Sequence, residues 1–304
     1  MSRTYFARGI KGLIVSRMQD VLTAGGFYTG KVDGDYGGGT ARAIGSAQSQ
    51  LRIAPTGSVD ESTWQGLMHA PIPSLFERCL QLTSCIEGHG FTMIAGNFDG
   101  AGLTWGIVGF TLLHGELQKI VLDVFASNPA VVNRSFGDRA DELLRMMQAP
   151  AAQQMAWADS ISTGRDNGSA LEPWRSAFFR FGSEEIVQRR QLGRAHDVYF
   201  DPALETARGL GLTTELGAAL CFDIHVQNGG IRKSTRTAIE AGRSPRASER
   251  TLRALIANSV ADAAKPRWRE DVRKRKLAIA SGAGEVHGVP LALESWGLGE
   301  FPMS

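Results

Sequence analysis

A helical run that ends on an acid and passes into glycines is the strongest constraint on this 304-residue chain. Leu75, Cys79, Leu82 and Ile86 recur at the spacing of one helical face. Glu87 closes the run, with Gly88 and Gly90 just beyond it. Asp99-Gly-Ala-Gly-Leu-Thr104-Trp-Gly-Ile-Val-Gly-Phe110 follows, a glycine-rich segment that reads as a β-hairpin. Two acids thus fall on different elements, twelve residues apart in sequence. A helix C-terminus disfavours negative charge, so Glu87 is poorly placed for a purely structural acid. The same field, with partial burial, is expected to raise its pKa, as a general acid at neutral pH requires. Glycoside cleavage needs one carboxyl group to protonate the leaving oxygen and a second to handle water. The competing reading is a surface helix followed by an acidic turn.

Composition narrows the classes. The length allows one large or two ordinary domains, and 43% hydrophobic with 21% charged residues is ordinary for a globular chain. A net charge of +2 gives no reason to expect nucleic acid. No apolar run approaches the roughly 18 residues of a bilayer span, so stable membrane insertion is not expected. The N-terminal residues lack the apolar core and small-residue cleavage site of a signal peptide. Synthesis in the cytoplasm, with action on an outside target after release, is the expectation. Cys79, Cys85 and Cys221 are odd in number and form no CxxC pair, which reads as structural thiols without a zinc site. His225 and His287 have no partner at metal spacing, so no metal or cofactor is expected. From Arg243 to Lys276 the chain carries eleven Lys or Arg against four acids. That run reads as a solvated helical face, or as a patch attracted to anionic cell-wall polymer.

Met68-His-Ala-Pro-Ile-Pro-Ser74 places two prolines in three residues, which a helix cannot continue. The expected organisation is a unit over 1–70, a connector over 71–74, and a second region over 75–304. In the first unit, Leu13, Ile14, Met18, Val21 and Leu22 predict one amphipathic helix. Thr40 is expected to cap a second helix reaching toward Gln50, and Asp60 a third that turns Trp64 and Leu67 inward.

Leu22, Gly26, Gly30, Val32-Asp33-Gly34, Tyr36-Gly37, Thr40, Ala43-Ile44, Gln48, Gly57, Val59-Asp60, Thr63-Trp64 and Leu67 together resemble the peptidoglycan-binding domain type 1 family. The resemblance implies a three-helix module and bacterial peptidoglycan as partner. Ala47 departs from it, because an aromatic residue commonly precedes the glutamine. The polar loop at Asp33, Asp35 and Tyr36 is the expected wall-binding surface.

The segment from Asp99 to Phe110 resembles glycoside hydrolase family 46, the chitosanases, and related peptidoglycan hydrolases of lysozyme-like fold. Leu220–Gly230 resembles that family's buried central helix, and Arg267–Gly288 its closing arginine-bearing helix. The resemblance implies Glu87 as general acid, Asp99 as general base and Thr104 as the residue that helps place water. It also implies inversion, with the carboxyl groups about 6.5–9.5 Å apart. Asp223 and Gln227 share one helix face and, with Arg275 or a neighbour, read either as a charge network that orients Glu87 or as a cap and helix-surface pair. His89 is a candidate to line the substrate groove, and Trp105 reads either as a stacking face for a sugar or as a core aromatic. The loop between the two acids is shorter than chitosanases usually have, so specificity for chitosan does not transfer.

The expected fold is therefore mainly α, a three-helix wall-binding module followed by a lysozyme-like α+β catalytic domain with a small β-hairpin. The expected protein is a monomeric modular endolysin that cuts the β-1,4 glycan bond of murein, as an N-acetylmuramidase. The alternatives are a chitosanase, an injected antibacterial effector with the same chemistry, and a non-enzymatic wall-binding protein.

Overall fold

The computed structural model describes residues 3–88 and 90–303. Two compact units emerge, one formed by 1–86 with 199–304 and the other by 87–198. The proline-rich connector near residue 70 therefore lies inside the first unit.

Strand β1 (Thr4–Phe6) opens the chain and pairs antiparallel with β2 (Val59–Asp60). Between them run helices α1 (Leu13–Ala24) and α2 (Gly38–Gln50), and α3 (Glu61–Met68) follows β2. Asp60 caps α3 as expected, its Oδ1 accepting from Thr63 N at 2.8 Å. Thr40 does not cap α2. That helix starts at Gly38 behind Gly37, and the Thr40 hydroxyl turns inward to the Asp35 carbonyl at 3.1 Å. Two buried glutamines hold the loops. Gln19 Oε1 accepts from Gly34 N at 2.8 Å, and Gln48 Oε1 accepts from Gly57 N at 2.9 Å. Each thereby satisfies loop amides that would otherwise lose water without a partner.

Helix α4 (Leu75–Glu87) is buried on more than its apolar stripe, because Arg78, Gln81, Thr83 and Ser84 are buried as well. Gln81 explains one of these: its Oε1 accepts from Ile14 N at 3.1 Å, and its amide donates to the Lys11 carbonyl. It supplies the N-terminal capping that Gly12 cannot give α1. Arg78 Nη1 meets the buried Glu215 at 2.9 Å, and Arg3 meets the same carboxylate.

The second unit opens on three short antiparallel strands, β3 (Ile94–Ala95), β4 (Thr104–Trp105) and β5 (Phe110–Thr111), in that order. The expected hairpin is thus a three-stranded meander in which Thr104 lies between Ala95 and Thr111. Helices α5 (Glu116–Ser127), α6 (Pro129–Phe136), α7 (Ala140–Gln148) and α8 (Ala151–Ser160) come next. A small pair, β6 (Ser162–Thr163) with β7 (Ser169–Ala170), precedes α9 (Trp174–Ser183) and α10 (Glu185–Ala195). Trp105, Phe136, Phe178 and Phe181 form the aromatic centre of this unit, with ring centroids 5.1–5.8 Å apart.

The chain then completes the first unit with α11 (Asp201–Leu210), α12 (Glu215–Asn228), α13 (Lys233–Gly242), α14 (Glu249–Asp262) and α15 (Arg269–Ser281). A terminal hairpin of β8 (Ala283–Val286) and β9 (Val289–Ala292) follows. Residues 215–224 of α12 are all buried, so this helix is enclosed on every side, with Glu215 and Asp223 as its two buried acids. No helix among the described residues is long and apolar enough to cross a membrane.

Candidate functional site

Glu87 is the last residue of α4, and Gly88 takes the chain out of the helix with φ +67°. A left-handed turn there suits glycine, which carries no Cβ. The Glu87 side chain is half-buried, with Oε1 out of solvent contact. Asp99 lies in the loop ahead of β4 and is exposed. Its Oδ1 accepts from Ala101 N at 3.0 Å, which fixes the carboxyl group against its own turn. Gly102, at φ +75°, lets this turn pack tightly: a Cβ there would meet Leu112 Cβ at 2.9 Å. Thr104 follows on β4, 9% exposed. All three residues belong to the second unit.

Of the two readings, the charge network is the one that forms, in the first unit, and it is larger than expected. Asp223 is fully buried in mid-helix on α12. Arg275 Nη2 donates to its Oδ1 at 2.6 Å, and Lys276 Nζ to its Oδ2 at 2.5 Å. Lys276 also donates to Gln227 Oε1 at 2.7 Å. Thr83 Oγ1 donates to Asp223 Oδ1 at 3.2 Å, so the network grips α4 one turn before Glu87. Burial pushes the Asp223 carboxyl up, yet the two cations and their hydrogen bonds outweigh it and hold the group well below the usual carboxylate range. Lys276 is the neighbour that the expectation left room for beside Arg275, and Thr83 is an addition. Thr83 could have been foreseen, since it stands four before Glu87. Lys276 sits in a Lys-Arg-Lys run that reads as solvated.

That run needs correction. Arg253, Arg275 and Lys276 are buried, each with an acid to neutralise it: the exposed Glu300 for Arg253, and the buried Asp223 for Arg275 and Lys276. Lys265, Arg267 and Trp268 are exposed.

Burial removes two groove and surface candidates. Trp105 is fully buried and stacks on Phe181 at 5.5 Å, the core reading of the two, so it offers no face to a sugar. Alternation along β4 turns it into the aromatic centre. Tyr36 is 1% exposed, with its hydroxyl donating to the Gly57 carbonyl at 2.8 Å; it is core, not wall-binding surface. Asp33 and Asp35 do reach the surface, but both have internal work. Asp33 Oδ1 accepts from Gln19 Nε2 and from Asp35 N, each at 2.9 Å, and those bonds hold its carboxyl below the usual range. Asp35 pairs with Lys11 at 2.9 Å. His89 lies outside the described residues. His225 bonds Thr206 at 2.9 Å and His287 bonds Asp271 at 3.0 Å, contacts of ordinary structural histidines. Cys79 and Cys221 are buried and Cys85 half-buried, with burial pushing the Cys221 thiol up to about 12, away from reactivity.

Residues 84–254, more than half of the chain, match glycosyl hydrolase family 46. The chain belongs to that family. Residues 11–67 match the peptidoglycan binding domain family, so the chain joins a wall-binding type of module to a family 46 region. A chitosanase of Bacillus subtilis strain 168 is 27% identical over 157 residues, 50% of this chain and 50% of that protein. The chain thus aligns with about half the length of this curated relative. Among solved structures, the native chitosanase of Bacillus subtilis MY002 superposes with a TM-score of 0.50 at 21% identity, covering 67% of this chain and 85% of that one. A mutant of that chitosanase complexed with 6 GlcN gives the same values. The Gynuella sunshinyii family 46 chitosanase in complex with chitotetraose has a TM-score of 0.50 at 16% identity, over 69% and 87% of the two chains. These likenesses concern the fold.

Proposed function

We propose that this family 46 protein hydrolyses the β-1,4 glycan bond of bacterial peptidoglycan, as a muramidase. The single observation that carries the reading is the joining of a peptidoglycan binding domain over 11–67 to a family 46 region over 84–254. A wall-binding module on the same chain raises the effective concentration of wall glycan at the hydrolase.

In the proposed reaction, Glu87 gives its proton to the glycosidic oxygen as the C–O bond breaks. Asp99 takes a proton from water while that water's oxygen attacks the anomeric carbon, and Thr104 helps to place the water. Inversion follows from attack on the opposite face, and needs carboxyl groups about 6.5–9.5 Å apart. The network of Asp223, Arg275, Lys276 and Gln227 acts by holding α4 through Thr83, so that Glu87 leaves the helix in one direction. Acid–base hydrolysis of this kind uses no metal or organic cofactor. The protein would be made in the cytoplasm as an endolysin and act on the wall after release, as a monomer.

Chitosan is the second candidate substrate, favoured by relatives that are chitosanases. Purified sacculi and chitosan offered in parallel separate the two readings, and mass spectrometry of released fragments identifies the new reducing end. Muramic acid at that end supports the muramidase reading. Turnover of chitosan with sacculi untouched removes it.

A further inference from the structure

We propose that Asn97 is a positioning residue that fixes the loop bearing Asp99, with Asp159 and Ser162 as its anchors. The proposal rests on the reading of Asp99 as the group that activates water.

The loop is short and closed on itself. Asn97 Oδ1 accepts from Gly102 N at 2.8 Å, which bridges the two ends of the segment that carries Asp99. Within it, Asp99 Oδ1 accepts from Ala101 N. Asn97 then fastens the closed loop to a surface some sixty residues later in sequence. Its Nδ2 donates to Asp159 Oδ1 at 2.7 Å, at the end of α8, and its backbone N–H donates to Ser162 Oγ at 2.8 Å, on β6. The Ser162 hydroxyl in turn donates to the Ala158 carbonyl at 2.6 Å, which orients its oxygen to accept. Gly96 allows the approach, since a Cβ there would strike the carbonyl oxygens of Asn167 and Ser169.

Asparagine is the side chain this arrangement needs, because one end must accept from a backbone N–H while the other donates to a carboxylate. Aspartate keeps the first bond and loses the second. The Asn97–Asp159 bond is exposed, so it contributes little to global stability. Its effect falls on the place of one carboxyl group, and an error of about 1 Å in a reacting group costs on the order of 100-fold in rate.

The test uses full-length protein and the glycan it turns over, purified sacculi or chitosan. Asn97→Asp sets two carboxylates face to face. Near neutral pH its kcat should fall roughly 10–100-fold, with KM within about twofold because only the transition state is affected. Relative to the parent protein, activity should recover as pH falls, since protonating either carboxyl restores an O–H···O bond. The exchange Asn97→Asp with Asp159→Asn reverses donor and acceptor and should restore kcat without that pH dependence. A general structural defect would lower the melting temperature and would not recover in acid. If Asn97→Asp keeps the parent kcat at every pH while Asp99→Asn is inactive, the positioning role is wrong and the reading of Asp99 stands. A fully active Asp99→Asn overturns both.

Discussion

Replacing Glu87 by Gln keeps the side chain's size and hydrogen-bonding capacity but removes the proton it would deliver. General acid catalysis is worth about 10²–10⁴-fold, so Glu87→Gln should lose that much hydrolysis in a turbidity assay on sacculi. Sedimentation with sacculi should be unchanged, because wall attachment is assigned to residues 11–67. Full activity in the variant removes Glu87 from the mechanism. Asp223 carries a different load. Asp223→Asn leaves Arg275 and Lys276 buried without the carboxylate that neutralises them, which costs about 3–5 kcal/mol and should show as a lower denaturant midpoint. The folded-state pKa of Asp223 is depressed, so its contribution is complete above the unfolded value of about 3.9 and is lost as pH falls below it. The stability gap between parent and variant should therefore hold from neutral pH down to about pH 4 and narrow only in stronger acid. A gap that closes between pH 7 and pH 5 contradicts the ion-pair account.

Elements with one strong period were legible in the sequence, and elements set by distant partners were not. The helices at residues 13–24 and 75–87 appear where their apolar spacing puts them. The central helix at 215–228 is legible only through family likeness, since a helix buried on every side has no strong period to detect. The start of α2 was misplaced at Thr40 because its hydroxyl is taken by Gln19 and the Asp35 carbonyl, contacts with no local mark. Trp105 reads as either surface or core, and Tyr36 as surface, for the same reason, since polar tips on aromatic rings suit both surface and core. That Glu87 ends a helix and that Asp99 stands in a glycine-rich turn ahead of Thr104 was legible in the sequence, whereas the bonds of Asn97 depend on residues 159 and 162, which no spacing reveals. Gly182 is another such position. It lies inside α9, where glycine weakens a helix, yet a Cβ there would overlap the Phe91 carbonyl and come within 2.8 Å of Thr92 Cα. Gly182→Ala should therefore destabilise by about 1–3 kcal/mol despite the better helix propensity of alanine. Thermal melting checks this, and a variant equal to or above the parent would show that α9 does not press on residues 91–92.

Over the whole molecule, contacts of the first unit run across the proline-rich segment near residue 70. Arg3 joins Arg78 on the buried Glu215, and its guanidinium lies 3.9 Å over the Phe301 ring. The backbone N–H of Ala7 donates to the Ser295 carbonyl at 3.3 Å. Gln81, on the helix that ends at Glu87, caps α1. A tethered module needs none of these contacts. A chain cut to residues 71–304 would expose Gln81 and leave Glu215 with fewer donors, while its apolar neighbours meet water. Loss of about 2 kcal/mol or more is expected, a fall in melting temperature of roughly 4–8 °C. The same contacts require residues 1–70 to unfold together with 75–86 and 199–304 in one cooperative transition. Calorimetry of the full and shortened chains decides this. An unchanged melting temperature after the cut, or a separate transition that disappears with it, would mean that the wall-binding module is a detachable domain after all.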